Sequence, residues 1–221
     1  MDHFHSCHSK MSIKVKICGI TSVQDGLTAV QYGADLIGLM FYDQSPRAIS
    51  LNMASEISRS LPASILKVGV FVNPHPKAVY DAIEACQLSM LQFHGQESPD
   101  FCTQFGIMSM KAFRIQNGQS LNELANYKTD AYLLDAFSSN ALGGTGQSFN
   151  WSLVSDAKKL IGKKPLFLAG GLTPLNVAHA IVQTMPFAVD VSSGVESAPG
   201  RKDPEKMKDF ISAAKAVCTE S

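Results

Sequence analysis

Eight short runs rich in valine, isoleucine, leucine and phenylalanine recur along this chain, near residues 14–18, 35–41, 66–72, 89–94, 110–115, 131–135, 165–169 and 187–191. The stretches between them carry apolar residues at three- and four-residue steps, as in 22–32, where Val23, Leu27 and Val30 share one helical face. Pro76, Pro99 and Pro174 fall where first helical turns are expected, and Asp203 to Val217 reads as a final amphipathic helix with Phe210, Ile211 and Ala214 on one side. Strands alternating with helices imply a parallel sheet with helical crossovers. Eight such units in one chain of this length fit a single closed (β/α)8 TIM barrel of the α/β class better than an open doubly wound sheet. The open sheet would be favoured by a GxGxxG turn after the first strand, where the sequence instead reads CGITSVQDG. No linker divides the chain, so the expected organisation is an extension over residues 1–12 and one barrel domain over 13–221.

Composition narrows the classes of partner. Hydrophobic residues make up 45% and charged residues 17%, as in an ordinary soluble globular protein. Lysine plus arginine equals aspartate plus glutamate at 19 each, which gives no reason to expect nucleic acid or an anionic membrane as partner. The run from Ala34 to Phe41 is broken by Asp35, far short of the roughly twenty apolar residues a membrane-spanning helix needs. The first twelve residues lack the apolar core of a secretory signal. Five widely spaced cysteines form neither a disulfide framework nor a CxxC pair, which points to free thiols in a reducing cytoplasm. His3, His5, Cys7 and His8 have the chemistry of zinc ligands, yet no second ligand pair follows at finger-like spacing. The simpler reading is a terminal extension without metal.

Barrel enzymes carry their working residues at the C-terminal ends of strands and on the loops that follow. Applied to this chain, the rule selects Cys18, Arg47, Asn73, His94, Arg114, Asp135, the pair Gly170-Gly171, and Asp190 with Ser192-Ser193-Gly194. The two glycine- and serine-rich turns follow the last two strands, where barrels frequently bind phosphate on backbone N–H groups. Asp135 closes an apolar strand, a poor place for a carboxylate unless it is solvated or paired, and a good one for a general acid or base. Arg47 suits a bidentate grip on a carboxylate. Cys18 is either a small buried hydrophobe or a reactive thiol. Lys16 lies two residues back on the same face, roughly 7 Å away along the strand, where it would favour the thiolate. Asp190, on the strand that barrel closure brings alongside, is the expected partner of that lysine. The glycine-containing segment 143–151 is expected to act as a lid or a linker.

Taken in order, VKICGIT (15–21), FYDQSPR (41–47), VGVFVNP (68–74), LQFHG (91–95), KAFRI (111–115), LLDA (133–136), GGTGQSFNW (143–151), LAGGLTPLNV (168–177), VDVSSGVE (189–196) and GRKD (200–203) resemble the phosphoribosylanthranilate isomerases, single-domain barrel enzymes of tryptophan biosynthesis. Phe93 and Asn150 depart from the residues usual there, leucine and aspartate. The resemblance implies an Amadori rearrangement of N-(5-phosphoribosyl)anthranilate to 1-(2-carboxyphenylamino)-1-deoxyribulose 5-phosphate. It implies Asp135 as general acid and Cys18 as general base. Arg47 would face the anthranilate end, with His94 and Asp190 also facing substrate. Gly170, Gly171, Ser192, Ser193 and Gly194 would hold the phosphate. No metal or organic cofactor is implied, and the expected partner is a small phosphorylated molecule, with the enzyme a monomer or homodimer. Two other readings stay open. One is a different phosphate-binding barrel, an epimerase or an indole-glycerol-phosphate synthase, whose metal ligands or lysine–glutamate set have no evident place here. The other is a barrel that binds a phosphorylated metabolite without catalysis.

Overall fold

The computed structural model describes residues 11–115, 117–135 and 152–219. Eight strands, β1 (Lys14–Cys18), β2 (Leu36–Met40), β3 (Leu66–Phe71), β4 (Met90–Phe93), β5 (Met108–Arg114), β6 (Ala131–Asp135), β7 (Leu166–Ala169) and β8 (Ala188–Val191), pair in sequence order. All are parallel, and β8 closes on β1 with Lys16 opposite Asp190. The expected (β/α)8 barrel is therefore the fold.

Strand alternation sorts the side chains into two layers. Leu36, Val68, Val70, Met90, Met110, Leu133 and Phe167 fill the barrel interior together with Cys18. Val15, Ile17, Ile37, Leu39, Leu91, Leu134, Leu168 and Val189 belong to the outer core, with Ile57, Val79, Phe210 and Ile211 of the helices. The helices are α1 (Val23–Gln31), α2 (Leu51–Ser60), α3 (Pro76–Cys86), α4 (Pro99–Thr103), α5 (Ser152–Ile161), α6 (Val177–Thr184) and α7 (Pro204–Lys215). Their starts follow capping chemistry: Ser22, Ser50, Ser98 and Asp203 accept backbone N–H bonds at the N-caps, and proline opens α3, α4 and α7.

Four local expectations are revised. Leu27 is 40% exposed, and the buried face of α1 is made by Gly26 and Ala29, because the small residues let the helix lie close to its neighbours. Pro174 does not open α6. The Asn176 side chain accepts from the Thr173 N–H and donates to the Gly171 carbonyl, which holds 174–176 as a turn and delays the helix to Val177. The connection from β5 to β6 contains two 3₁₀ turns, Gly118–Leu121 and Leu124–Asn126, in place of a helix. Asn117 caps the first of them, and asparagine recurs at 122 and 126, a residue that competes with the helical backbone. Finally, Met11 and Ser12, inside the expected extension, pair antiparallel with Cys218–Thr219. Residues 1–10, with the histidine cluster, lie outside the described residues.

At the N-terminal end of the barrel, one carboxylate joins its first and last elements. Asp35 accepts from Lys14 Nζ and from the Val15 N–H at 2.9 Å each, and from Lys215 of α7. Partial burial alone would raise its pKa, but the hydrogen bonds from Lys215, Lys14 and Val15 outweigh burial and hold the carboxyl below the usual carboxylate range. A depressed carboxyl stabilises the fold above its unfolded pKa of about 4, and that stability is lost as pH falls through the folded value. Asp35→Asn is therefore expected to cost about 1–2 kcal/mol in urea unfolding at neutral pH. The gap to wild type should close in acid. An equal gap at both pH values would show that the ionised carboxylate is not what matters.

Candidate active site

The C-terminal mouth of the barrel holds a cavity of about 270 Å³. Cys18, Arg47, Gln92, His94, Asp135, Gly170, Gly171, Asp190, Ser192, Ser193 and Gly194 all line it, so every residue expected to act on substrate or phosphate reaches one space. Asn73 and Arg114, the other strand-end positions, do not line it. Asn73 takes a left-handed backbone (φ +46°) and binds the Gln96 N–H, while Arg114 lines a neighbouring space beside His94. The segment 143–151, including Asn150, lies outside the described residues.

Cys18 ends β1 and faces inward. Gly38 of β2 makes room for it, since a side chain there would meet the Cys18 sulfur at 2.7 Å. The next residue, Gly19, has φ +72°, and a side chain there would meet Arg47 Cδ at 2.5 Å. Gly19 thus turns the chain away from the strand and lets the arginine cross over it toward the mouth.

Beneath Cys18, Lys16 is fully buried. Its Nζ donates to Asp190 Oδ1 at 3.0 Å and to Gln92 Oε1 at 2.9 Å. Burial disfavours the ammonium, but Asp190 and, secondarily, Cys18 outweigh burial and raise its pKa above the ordinary lysine value. The effect on the thiol is mixed. Burial pushes the Cys18 pKa up, Lys16 pulls it down, Asp190 pushes it up again, and the net is above the ordinary cysteine value. Lys16 therefore acts in the expected direction, but burial is the larger influence.

The polar chain continues across the barrel. Lys16 has only donors, so the Gln92 amide must turn its oxygen to it and its Nε2 toward His94 Nδ1, 3.3 Å away. An acceptor at Nδ1 selects the Nε2–H tautomer of His94, and Nε2 lies 3.5 Å from Asp135 Oδ2. A line of side chains from β8, β1, β4 and β6 thus runs from Asp190 to Asp135. Two-residue alternation placed Lys16 inward, and the same rule applied to Met90 and Gln92 would have found Gln92.

Arg47 is already engaged on one side. Its Nε and Nη2 donate to Glu196 Oε1 and Oε2 at 2.7 and 2.6 Å. Glu196 and Lys202 lie on a short antiparallel pair, Glu196–Ala198 with Arg201–Lys202, beyond β8. Neither sits at a strand end of the barrel, so the strand-end rule did not select them, although both fall within the motifs VDVSSGVE (189–196) and GRKD (200–203).

A closed (β/α)8 barrel with a thiol, a carboxylate, an arginine and two glycine–serine turns around one mouth defines an enzyme for a small anionic molecule. Comparison with known proteins narrows that class. A family model described as N-(5'-phosphoribosyl)anthranilate (PRA) isomerase matches residues 15–213. N-(5'-phosphoribosyl)anthranilate isomerase of Trichlorobacter lovleyi is 50% identical over 203 residues, covering 92% of this chain and 98% of that protein. The enzyme of the same name from Geobacter sulfurreducens is 48% identical over 203 residues, covering 92% and 98%. The crystal structure of phosphoribosyl anthranilate isomerase from Thermotoga maritima superposes with a TM-score of 0.85 at 42% identity, covering 93% of this chain and all of that one. A crystal structure of phosphoribosyl anthranilate isomerase in complex with reduced 1-(o-carboxyphenylamino)-1-deoxyribulose 5-phosphate gives a TM-score of 0.83 at 40% identity. The chain belongs to the N-(5'-phosphoribosyl)anthranilate isomerase family.

The role of Lys16 is open to measurement. Lys16→Met leaves the Asp190 carboxylate buried beside Cys18 without its cation, which should destabilise the fold by about 3–5 kcal/mol. Titration of the Cys18 thiol in this variant should give a higher pKa than in wild type. An unchanged thiol pKa would remove Lys16 from the account of the thiol.

Proposed function

We propose that this isomerase of tryptophan biosynthesis works by general acid–base catalysis between Asp135 and Cys18, on a substrate anchored at both anionic ends. Asp135 gives a proton to the furanose ring oxygen, the bond from C1 to that oxygen breaks, and the nitrogen lone pair forms a protonated Schiff base. The Cys18 thiolate then takes the proton from C2, and the electron pair moves to give an enolamine. Tautomerisation protonates C1 and yields the ketone of 1-(2-carboxyphenylamino)-1-deoxyribulose 5-phosphate. Two groups are needed because one proton is given at an oxygen and another taken at a carbon of the same small sugar. The observation that carries this reading is that Cys18, from β1, and Asp135, from β6, line the same cavity.

Phosphate is assigned to the turns at Gly170-Gly171 and Ser192-Ser193-Gly194, with the anthranilate carboxylate on Arg47. His94 and Asp190 face the sugar while fixing Asp135 and Lys16 in turn. The thiol acts as thiolate, so Lys16 matters by opposing the burial that keeps it protonated. The proposed setting is the cytoplasm, with a free thiol at Cys18. Among the described residues no helix is long and apolar enough to cross a membrane. The enzyme works as a monomer or a homodimer. A Thermotoga maritima relative, 40% identical, was crystallised as monomers generated from a dimeric enzyme, and supports both options. Residues 1–12 are assigned to an extension of the barrel whose last two residues, Met11 and Ser12, pair with Cys218–Thr219, in keeping with a family match that begins at residue 15.

Conversion of the substrate is followed by the loss of its anthranilate fluorescence. Cys18→Ala and Asp135→Asn should each lower kcat by about 10²–10⁴-fold, the range for a general acid or base, with KM changed far less. Near-normal kcat in either folded variant would remove that residue from the chemistry.

A further inference from the structure

Glu196 and Lys202 are buried ionisable residues beside the mouth that the acid–base chemistry does not use. Glu196 Oε1 accepts from Arg47 Nε at 2.7 Å and from Lys202 Nζ at 2.8 Å, and Oε2 accepts from Arg47 Nη2 at 2.6 Å. Lys202 Nζ also donates to the Ser192 carbonyl at 3.1 Å and lies 3.4 Å from Ser192 Oγ. One carboxylate thus joins the arginine to a lysine that holds the turn after β8. Burial raises the Glu196 pKa, but the hydrogen bonds from Arg47 and Lys202 outweigh it and keep the group ionised.

Two consequences follow. Glu196 occupies the edge of the guanidinium made by Nε and Nη2, and among the described residues no side chain takes the edge made by Nη1 and Nη2, which suits a second carboxylate. The cluster also holds two cations and one anion, so a further anion is favoured beside it. Glu196 and Lys202 do not line the cavity, and so act through Arg47 and Ser192.

We infer that Glu196 and Lys202 are positioning residues for substrate selection. They fix the free edge of Arg47 at a set place relative to the Ser192 turn, so that the enzyme selects molecules carrying a carboxylate and a phosphate at the matching separation. This rests on the reading of Arg47 as the carboxylate grip. Orientation and charge make opposite demands on Glu196. Were it only a negative charge near the site, Glu196→Gln would leave more net positive charge and strengthen selection for the carboxylate. As the holder of Arg47, its loss weakens that selection.

The test measures kcat and KM for N-(5-phosphoribosyl)anthranilate and for its carboxyl-free counterpart, N-(5-phosphoribosyl)aniline. The proteins are the full-length wild type, Arg47→Gln, Glu196→Gln and Lys202→Met, each checked for folding by circular dichroism. The ratio of the two kcat/KM values reports selection and cancels a uniform loss of active protein. It should collapse in Arg47→Gln and fall about tenfold in Glu196→Gln and Lys202→Met, with the change carried by KM of the carboxylated substrate. A folded Glu196→Gln with an unchanged or larger ratio overturns the inference, as does an equal drop on both substrates. If Arg47→Gln itself keeps the wild-type ratio, the reading of Arg47 fails and the inference goes with it.

Discussion

An ammonium group buried inside a barrel must find a carboxylate there, and the Lys16–Asp190 pair is that requirement met across the seam where β8 closes on β1. The rest of the mouth is arranged around it. Gln92 completes the shell of Lys16 and thereby fixes its own amide, which sets the tautomer of His94, which faces Asp135. Cys18 sits on the same strand face, above the ammonium. The barrel could hold an apolar plug at this level, as it does lower down with Leu36, Met90 and Phe167. It holds charge instead, beside the thiol proposed to act as the base.

That placement sets two opposing influences on one sulfur. Burial raises the pKa of the thiol, while Lys16 lowers it. A base of this kind is strong once ionised, because a higher pKa means greater affinity for the proton it removes. Asp135, the proposed acid on β6, faces His94 and so joins the same chain of side chains. The proposed acid and base are thus joined by one line of side chains, and the glycines at 19 and 38 keep the space around the sulfur and the arginine clear.

Much of this was legible in the sequence, for a physical reason. Strand alternation and the barrel rule together convert a position in an apolar run into a direction and a depth, so Cys18, Lys16, Asp135 and Asp190 could be placed on the inner face before any coordinates were known. The glycine–serine turns were legible because such turns follow strands at predictable points. What was not legible depends on packing between distant segments. Leu27 looked like core on periodicity, but small residues won the close approach. Pro174 looked like a helix opener until the Asn176 side chain claimed the turn. Glu196 and Lys202 come to Arg47 from far along the chain, and no local pattern announces a pairing over that separation.

The central claim is that Cys18 and Asp135 address different atoms of one sugar held at both ends. The most direct measurement is a crystal structure of this protein with the reduced product analogue bound. The account predicts phosphate on the turns at 170–171 and 192–194, carboxylate on Arg47, and the Cys18 sulfur about 3.5 Å from C2. It also places an Asp135 oxygen within hydrogen-bond reach of the oxygen released on ring opening. A ligand bound with C2 remote from the sulfur and another side chain in its place would contradict the account.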